Sequence, residues 1–418
     1  MNASINQSLP QSRLKKIIKK IVKGIAWFIA FCITGIIICL TLLWLEHKQR
    51  VTLPLPTGQF AVGRTTYHWV DSSRTDSLAP IKNQKRELVI WIWYPAGFTK
   101  AAKASEYMPK NWRTAIEEHQ GPVLRNFLKT DLSITYAHSI NNANLVSGTS
   151  SFPIVILRSG IGALALDYTS FAEDLASHGY VVIGADAPYS TTVVVLPDGR
   201  VIKRPGENEI ETMPAERRNI FANKLINVWA ADTKFMLDKL TELNENDPSG
   251  KFAGRLNLQS VGIMGHSFGG ATAAQFCHDD DRCKAGIDLD GIPFGTVVDE
   301  GTDKPFMFLT SDYGSKKYPV TIQFDEKVKS VYDHLPENTR LWIKLKGMRH
   351  FNFSDGALLN DSHIGRLTGL MGSIGERRGL AITSSCVLDF FDVYLKKAAN
   401  SQLKKTLLKL PEVEIKKD

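Results

Sequence analysis

Residues 260–274 read SVGIMGHSFGGATAA, an apolar run followed by a glycine-rich turn and an alanine-rich segment. The apolar run predicts a buried strand, and the segment after it predicts a helix. Between them lies a G-x-S-x-G pattern in which Gly265 and Gly269 flank Ser267. Glycines at these two positions let the strand and helix pack closely, and the tight turn strains and exposes the serine. Ser267 is therefore our candidate nucleophile; the alternative is a structural turn around a buried serine.

The segments on both sides of this turn alternate between strand and helix patterns. Predicted strands cover residues 59–70, 87–94, 153–157, 180–186, 260–264, 285–290, 304–310 and 340–345. Predicted helices lie near residues 166–178, from about 215 to 244, from 268 onward, near 322–334 and near 379–398. Apolar strands that alternate with helices are typical of a mostly parallel sheet covered by helices on both faces. The predicted fold class is α/β.

A serine nucleophile needs a base within hydrogen-bond reach and a carboxylate that orients the base. Of the ten histidines, only His350 lies in a loop just after the last predicted strand, in the stretch KGMRHFNFSD. We therefore predict that His350 is the base. Three candidate acids, Asp288, Asp290 and Asp312, lie at the ends of strands that follow the serine. Topology alone favours Asp312, and Asp290 is its competitor.

The N-terminal region predicts a membrane anchor. Residues 25–45 read IAWFIAFCITGIIICLTLLWL and carry no charge. A helix of this length rises about 30 Å, which matches the hydrocarbon thickness of a bilayer. A basic cluster precedes the span, so we predict that residues 1–24 are cytoplasmic and that the body of the chain lies outside, on a single-pass cell-membrane protein. A cleaved signal peptide and a buried core helix are the alternatives.

Charge excludes one class of partner. The chain carries 51 Lys and Arg against 43 Asp and Glu. Six of these bases precede residue 25, namely Arg13, Lys15, Lys16, Lys19, Lys20 and Lys23. The rest of the chain is close to neutral, so we expect no nucleic-acid partner. No CxxC, HExxH or His-x-His pattern is present, so we predict no metal site and no cofactor.

Two of the five cysteines are informative about the compartment. Cys277 and Cys283 bracket a polar HDDDR loop. An oxidising exterior would allow them to close a short disulfide, and two unpaired thiols are the alternative.

The body of the chain, residues 51–398, is predicted to be one catalytic domain. Residues 97–150 and 187–215 are polar excursions without a clean period, which we interpret as the lid and the pocket wall. Residues 399–418 read as a charged C-terminal tail that is solvated or lies on the surface.

Several stretches, in order, resemble one known family: LPLPTGQFAVG, RELVIWIWYPA, SGIGAL, LASHGYVVIGADAP, GHSFGGATAA, AGIDLDG and GMRHFNFSD. They resemble the plasma-type (isoform II) platelet-activating factor acetylhydrolases, which have the α/β-hydrolase fold, from about residue 53 to 395. By motif, the resemblance places the acid on Asp290 in preference to Asp312. It also implies an oxyanion hole made by the backbone N–H groups of Ile161 and Phe268. Many relatives carry His-Gly where this chain has Ser159-Gly160.

The resemblance implies a serine hydrolase of carboxylic esters that needs no cofactor. The implied substrate is a phospholipid or lipid-like ester with a short or oxidised acyl chain. A broad carboxylesterase, lipase or polyester-type hydrolase with the same residues is the alternative. A third possibility is a catalytically inactive, membrane-tethered binding protein.

Overall fold

The computed structural model describes residues 11–98, 104–148, 151–313, 319–360 and 362–416. The strands are β1 (Ala61–Thr75), β2 (Lys85–Ala96), β3 (Ile140–Asn141), β4 (Phe152–Arg158), β5 (Val181–Asp186), β6 (Val193–Val195), β7 (Val201–Lys203), β8 (Leu256–His266), β9 (Cys283–Leu289), β10 (Phe306–Ser311), β11 (Arg340–Leu345) and β12 (Val413–Ile415). The α-helices are α1 (Gln11–His47), α2 (Lys110–Val123), α3 (Thr169–Ser177), α4 (Ala215–Glu245), α5 (Phe268–Asp279), α6 (Val297–Glu300), α7 (Pro319–Asp333), α8 (Gly356–Leu359), α9 (Ser362–Leu367), α10 (Glu376–Lys396) and α11 (Asn400–Lys409).

Ten strands form one sheet in the order β12-β11-β10-β9-β8-β4-β5-β2-β1-β3. The six neighbours from β5 to β11 are parallel, as the sequence predicts. Antiparallel pairs flank them, with β12 at one side and β2 and β1 at the other. The carboxyl ends of β4, β8, β9 and β11 therefore meet at the same edge of the sheet, where a ligand site is typical of open α/β sheets.

Successive side chains of a strand point to opposite faces, and both faces of this sheet are buried. In β4, Ile154 and Ile156 join the core under α4, α5 and α7. Val155 and Leu157 join the core under α3 and α10. Strands buried on both faces explain why the sequence shows continuous apolar runs instead of alternation.

The two polar excursions pack against the sheet. Within residues 97–150, α2 buries Trp112, Ala115 and Ile116, and its chain direction breaks at Gly121, which has a φ of 75°. Within residues 187–215, β6 and β7 form a separate antiparallel hairpin.

The C-terminal segment differs from the expectation of a solvated tail. Residues 400–409 form α11, which buries Leu403 and Leu407. Residues 413–415 form β12, which pairs antiparallel with β11 at the edge of the sheet. Of the two expectations, a solvated tail and a surface-lying one, this arrangement fits the second, because the two leucines lie one helical turn apart and give the charged segment an apolar stripe.

Cys277 near the end of α5 and Cys283 at the start of β9 are joined as a disulfide. Both sulfur-bearing residues are buried, and the polar loop between them turns the chain from the helix into the next strand.

Within the described residues, α1 is the one helix long and apolar enough to cross a membrane. The helix begins at Gln11, whereas the predicted membrane span begins at residue 25. The basic segment before residue 25 belongs to the same helix and also carries exposed apolar residues.

The last turn of α1 is joined directly to the body of the chain. The N–H of Asp131 donates to the carbonyl oxygen of His47 at 3.0 Å. Lys48 Nζ lies 2.6 Å from the Asp131 carboxylate. The neighbouring Thr130 N–H donates to Leu359 O at 2.9 Å, so this joint continues into the segment that follows His350.

Candidate active site

Ser267 lies in the turn between β8 and α5 and has an unusual backbone conformation. Its φ is 56° and its ψ is −124°. A non-glycine residue in this region carries a strain of about 1–3 kcal/mol, which the surrounding structure must hold. The Ser267 N–H donates to Leu289 O at 2.8 Å, and its carbonyl oxygen accepts from Gly270 N–H at 2.9 Å. These bonds fix the strained turn between β9 and the first turn of α5.

The two glycines of the motif are required by close packing. A Cβ on Gly265 would lie 2.1 Å from the Gly269 carbonyl oxygen. A Cβ on Gly269 would lie 2.3 Å from the Arg158 carbonyl oxygen, on the neighbouring strand β4. Since real contacts are much longer, neither position accepts a side chain without a backbone shift.

Asp290 and His350 are brought together after β9 and β11. His350 Nδ1 lies 2.7 Å from Asp290 Oδ2. Asp290 also accepts hydrogen bonds from Ser311 N–H and Ser311 Oγ, both at 2.7 Å, and from the Tyr313 hydroxyl at 3.3 Å. Burial alone raises the pKa of Asp290, but the hydrogen bonds from His350 and Ser311 outweigh it and hold that pKa below its ordinary value. The carboxylate is thus charged at neutral pH.

The other two candidate acids have different surroundings. Asp312 Oδ2 accepts from Gly347 N–H at 3.3 Å, and the Asp312 N–H donates to Met348 O at 3.0 Å. These bonds hold the backbone of the loop before His350. Asp288 is buried beneath the serine turn, where it accepts from Gly291 N–H at 2.7 Å, and burial raises its pKa well above the ordinary value. The structure therefore brings Asp290, not Asp312 or Asp288, to the imidazole.

Two backbone N–H groups are available beside the serine. Phe268 is the first residue of α5, so its N–H has no partner within the helix. Ile161 lies in the turn after β4, next to Gly160, whose Cβ position is 3.3 Å from Ser267 Cβ. Neither N–H has a hydrogen-bond acceptor in the part of the chain that the structure describes. Such paired donors suit an anionic oxygen.

The serine hydroxyl and the imidazole are not hydrogen-bonded to each other in this structure. No hydrogen bond joins Ser267 Oγ to His350 among the described residues, and the His350 side chain is 32% exposed. Because Asp290 occupies Nδ1, Nε2 is the ring nitrogen left to accept a proton. In structures without substrate, catalytic hydrogen bonds are often long and tighten only in the complex.

An apolar wall adjoins these residues. Phe268 packs in one cluster with Trp229 and the partly buried Phe294. Ile210 and Met213, from the predicted lid excursion, belong to the same cluster. Within the residues described, no group of three or more His, Cys, Asp or Glu side chains is suited to a metal ion.

Sequence reasoning missed the groups that hold the acid and the base in place. Ser311 and Tyr313 bond Asp290 from the end of the next strand, β10. In the sequence, residues 310–312 read TSD at the end of that strand, and this stretch indicated only Asp312 as a candidate acid. The contacts of His266 with Tyr168 and with the His350 loop were also missed.

The family profile and the similar known proteins indicate the same family. The profile of the family described as "Platelet-activating factor acetylhydrolase, isoform II" matches residues 45–410. A "Platelet-activating factor acetylhydrolase" from Cavia porcellus is 25% identical over 61% of this chain and 60% of its own length. A "Probable 1-alkyl-2-acetylglycerophosphocholine esterase" from Arthroderma benhamiae is 27% identical over 62% of this chain and 65% of its own length. The chain thus spans about 60% of the length of these relatives.

A solved structure of a ferulic acid esterase from Streptomyces cinnamoneus superposes with a TM-score of 0.73. It is 26% identical, and the match covers 88% of this chain and 100% of that one. The likeness to an esterase together with the family match confirms the predicted α/β-hydrolase fold.

Proposed function

The chain belongs to the platelet-activating factor acetylhydrolase, isoform II, family, and from this premise we propose that it is a serine hydrolase of carboxylic esters. We assign the nucleophile to Ser267, the base to His350 and the acid to Asp290. The observation that carries the assignment is the 2.7 Å bond between His350 Nδ1 and the buried, charged Asp290 carboxylate. That bond fixes the tautomer that leaves Nε2 free for the serine proton.

In the proposed reaction, Ser267 Oγ attacks the ester carbonyl carbon while His350 Nε2 takes the hydroxyl proton. The carbonyl oxygen becomes an oxyanion, which the N–H groups of Ile161 and Phe268 stabilise. The carbon–oxygen bond to the alcohol then breaks, and His350 protonates the leaving alkoxide. Water, deprotonated by the same imidazole, hydrolyses the acyl-enzyme and regenerates the serine.

The proposed substrate is a phospholipid or lipid-like ester with a short or oxidised acyl chain. The names of the relatives and the apolar wall beside Phe268 support this class. A broad carboxylesterase or polyester-type hydrolase is the second candidate, favoured by the likeness to a ferulic acid esterase. A chain-length series of p-nitrophenyl esters and phospholipid esters separates the two candidates, since a preference for the phospholipid esters with short chains supports only the first.

We further propose that α1 anchors the enzyme in the cell membrane, with residues 1–24 in the cytoplasm and the hydrolase outside. The exposed apolar surface of α1 and the six bases at its N-terminal side support this orientation. A signal sequence passes the same test of length and composition.

Labelling with a fluorophosphonate tests the assignment of the site. The full chain in detergent micelles is compared with Ser267→Ala, Asp290→Asn and Asp312→Asn, and hydrolysis of a short-chain phospholipid analogue is followed in parallel. We expect Ser267→Ala to abolish labelling and Asp290→Asn to lower kcat by about 10³- to 10⁴-fold, because the imidazole loses its tautomer and its counter-charge. Asp312→Asn serves as the matched control and should cost far less.

Two results would contradict this assignment. A larger loss in Asp312→Asn than in Asp290→Asn would move the acid to the end of β10. A wild-type chain that does not label would favour the inactive, tethered binding protein.

A further inference from the structure

One buried side chain joins two parts of the proposed site that are distant in sequence. His266 Nε2 lies 2.9 Å from the carbonyl oxygen of His350. His266 Nδ1 lies 2.8 Å from the hydroxyl of Tyr168. The same hydroxyl is 3.1 Å from the N–H of Gly160, the residue before the oxyanion donor Ile161. His266 is 4% exposed and Tyr168 is 1% exposed, so both side chains are shielded from solvent.

The direction of every hydrogen bond in this chain follows from the chemistry of its groups. The carbonyl oxygen of His350 can only accept, so His266 Nε2 carries the proton. In the neutral ring, Nδ1 is then an acceptor, and the Tyr168 hydroxyl must donate to it. The hydroxyl oxygen keeps a lone pair, which accepts from Gly160 N–H. Each donor and acceptor has one partner, and no other arrangement satisfies them all.

The neutral state of His266 is stable in this environment. Burial and the nearby charge of His350 lower the pKa of His266 to about 3. The His266 ring centroid is 4.4 Å from that of His350 and 6.1 Å from that of Phe353. The ring therefore acts as an uncharged spacer with a fixed tautomer, in contact with the backbone and the ring of the proposed base.

The oxyanion turn is fitted closely to the same two side chains. A Cβ on Gly160 would lie 3.4 Å from the Tyr168 hydroxyl and 3.5 Å from His266 Nδ1. The turn at Gly160 therefore lies within van der Waals reach of both side chains and is hydrogen-bonded to the Tyr168 hydroxyl. Because His266 is bonded through Tyr168 to Gly160 and directly to the His350 carbonyl, we expect a shift at His266 to disturb the turn and the loop together.

We propose that His266 and Tyr168 are positioning residues that hold the oxyanion N–H of Ile161 and the imidazole of His350 in one fixed arrangement around Ser267. This inference rests on the proposed function, because it assigns the oxyanion turn and the base to that reaction. Neither side chain touches the reacting atoms, so their effect is on the geometry of the transition state.

The test compares Tyr168→Phe with Tyr180→Phe in the full chain in detergent micelles. Tyr180 is a matched control: it is also fully buried, and its hydroxyl donates to Asp392 at 2.7 Å, away from the site. For p-nitrophenyl acetate we expect Tyr168→Phe to lower kcat by about 10- to 100-fold with KM changed less than about threefold. The affinity for a trifluoromethyl ketone, which forms an oxyanion on the serine, should fall by a similar factor. Tyr180→Phe should leave both values unchanged.

A conservative rescue separates positioning from packing. His266→Gln retains an amide that can donate to the His350 carbonyl, whereas His266→Leu retains only the apolar volume. We expect the glutamine variant to keep more of kcat than the leucine variant at equal thermal stability. Equal losses of kcat in the two variants would overturn the role of the hydrogen bond.

Hydrogen exchange gives a readout that needs no esterase activity. Peptides that cover residues 158–163 and 348–353 are expected to exchange faster in Tyr168→Phe than in the wild type, and both peptides should change together. If Tyr168→Phe matches Tyr180→Phe in exchange and in kcat, the positioning role is refuted. If the wild type neither labels nor hydrolyses esters, the proposed function fails, while the coupled exchange of the two peptides still decides whether His266 joins them.

Discussion

The strained backbone conformation of Ser267 is possible because the residues two before and two after it are glycines. A Cβ atom on Gly265 or Gly269 would lie only about 2 Å from another backbone atom. The motif therefore reflects a steric requirement, because α5 packs too closely against β8 and β4 at these two positions for a residue with a side chain.

Substitution of Gly265 by alanine tests whether close packing at this position is required for stability and labelling. Gly265→Ala places a Cβ 2.1 Å from the Gly269 carbonyl oxygen. The start of α5 must then shift, so we expect a loss of about 1–3 kcal/mol or more in the free energy of unfolding and slower fluorophosphonate labelling. Thermal unfolding and labelling rates provide the measurements.

Gly206→Ala is the control, because a Cβ there has no atom within 4 Å. Its stability should stay within about 0.5 kcal/mol of the wild type. If the two alanine variants unfold and label alike, close packing does not explain the motif.

The candidate site residues could be proposed from the sequence, but the residues that hydrogen-bond to them could not. Motif and order single out Ser267 and His350, whereas the choice between Asp290 and Asp312 depended on family resemblance. Ser311 lies beside Asp290 because β9 and β10 are neighbouring parallel strands. A sequence pattern does not contain strand order, so the residues that hold the acid remained hidden.

At the scale of elements, the disulfide joins the end of α5 to the start of β9. Cys277 and Cys283 are six residues apart. Closing so short a loop restricts the unfolded chain by about 2 kcal/mol. We expect the reduced protein to lose that much stability, and non-reducing peptide maps of the exported protein should contain the crosslinked peptide.

The double variant Cys277→Ala, Cys283→Ala is the control, since its stability should not respond to reductant. Free alkylation of both thiols in exported protein would contradict the disulfide.

Elements with a dense apolar pattern were predicted well, and elements that depend on a pairing partner were not. The parallel strands and α10 are close to their predicted ranges, because the strands are continuous apolar runs and α10 carries many buried residues at helical spacing. β1 runs past its predicted end to Thr75, since it pairs antiparallel along nearly the whole of β2. β12 has three residues, too few for a period, and forms only because the edge of β11 is available to it.

At the scale of the molecule, the proposed orientation of α1 determines on which side of the membrane the body of the chain lies. We expect protease added outside intact cells to digest the body beyond residue 50 and to leave the segment before residue 25 intact. The basic residues on the N-terminal side should resist translocation, which is the physical reason for this orientation.

A tag at each end of the chain, detected before and after permeabilisation, supplies the control. Full protection of the body in intact cells would overturn the proposed orientation, and a soluble body without α1 would indicate a cleaved signal sequence.

The bonds from Asp131 to the end of α1 leave almost no free chain between this helix and the body of the protein. In the proposed membrane-anchored hydrolase, a tether so short would confine the catalytic domain to a thin layer above the bilayer, where its effective concentration toward neighbouring lipids is high. Its encounters with lipids would then be set by the mole fraction of substrate in its own leaflet and by lateral diffusion. Lipid dispersed elsewhere in the bulk would contribute little to turnover.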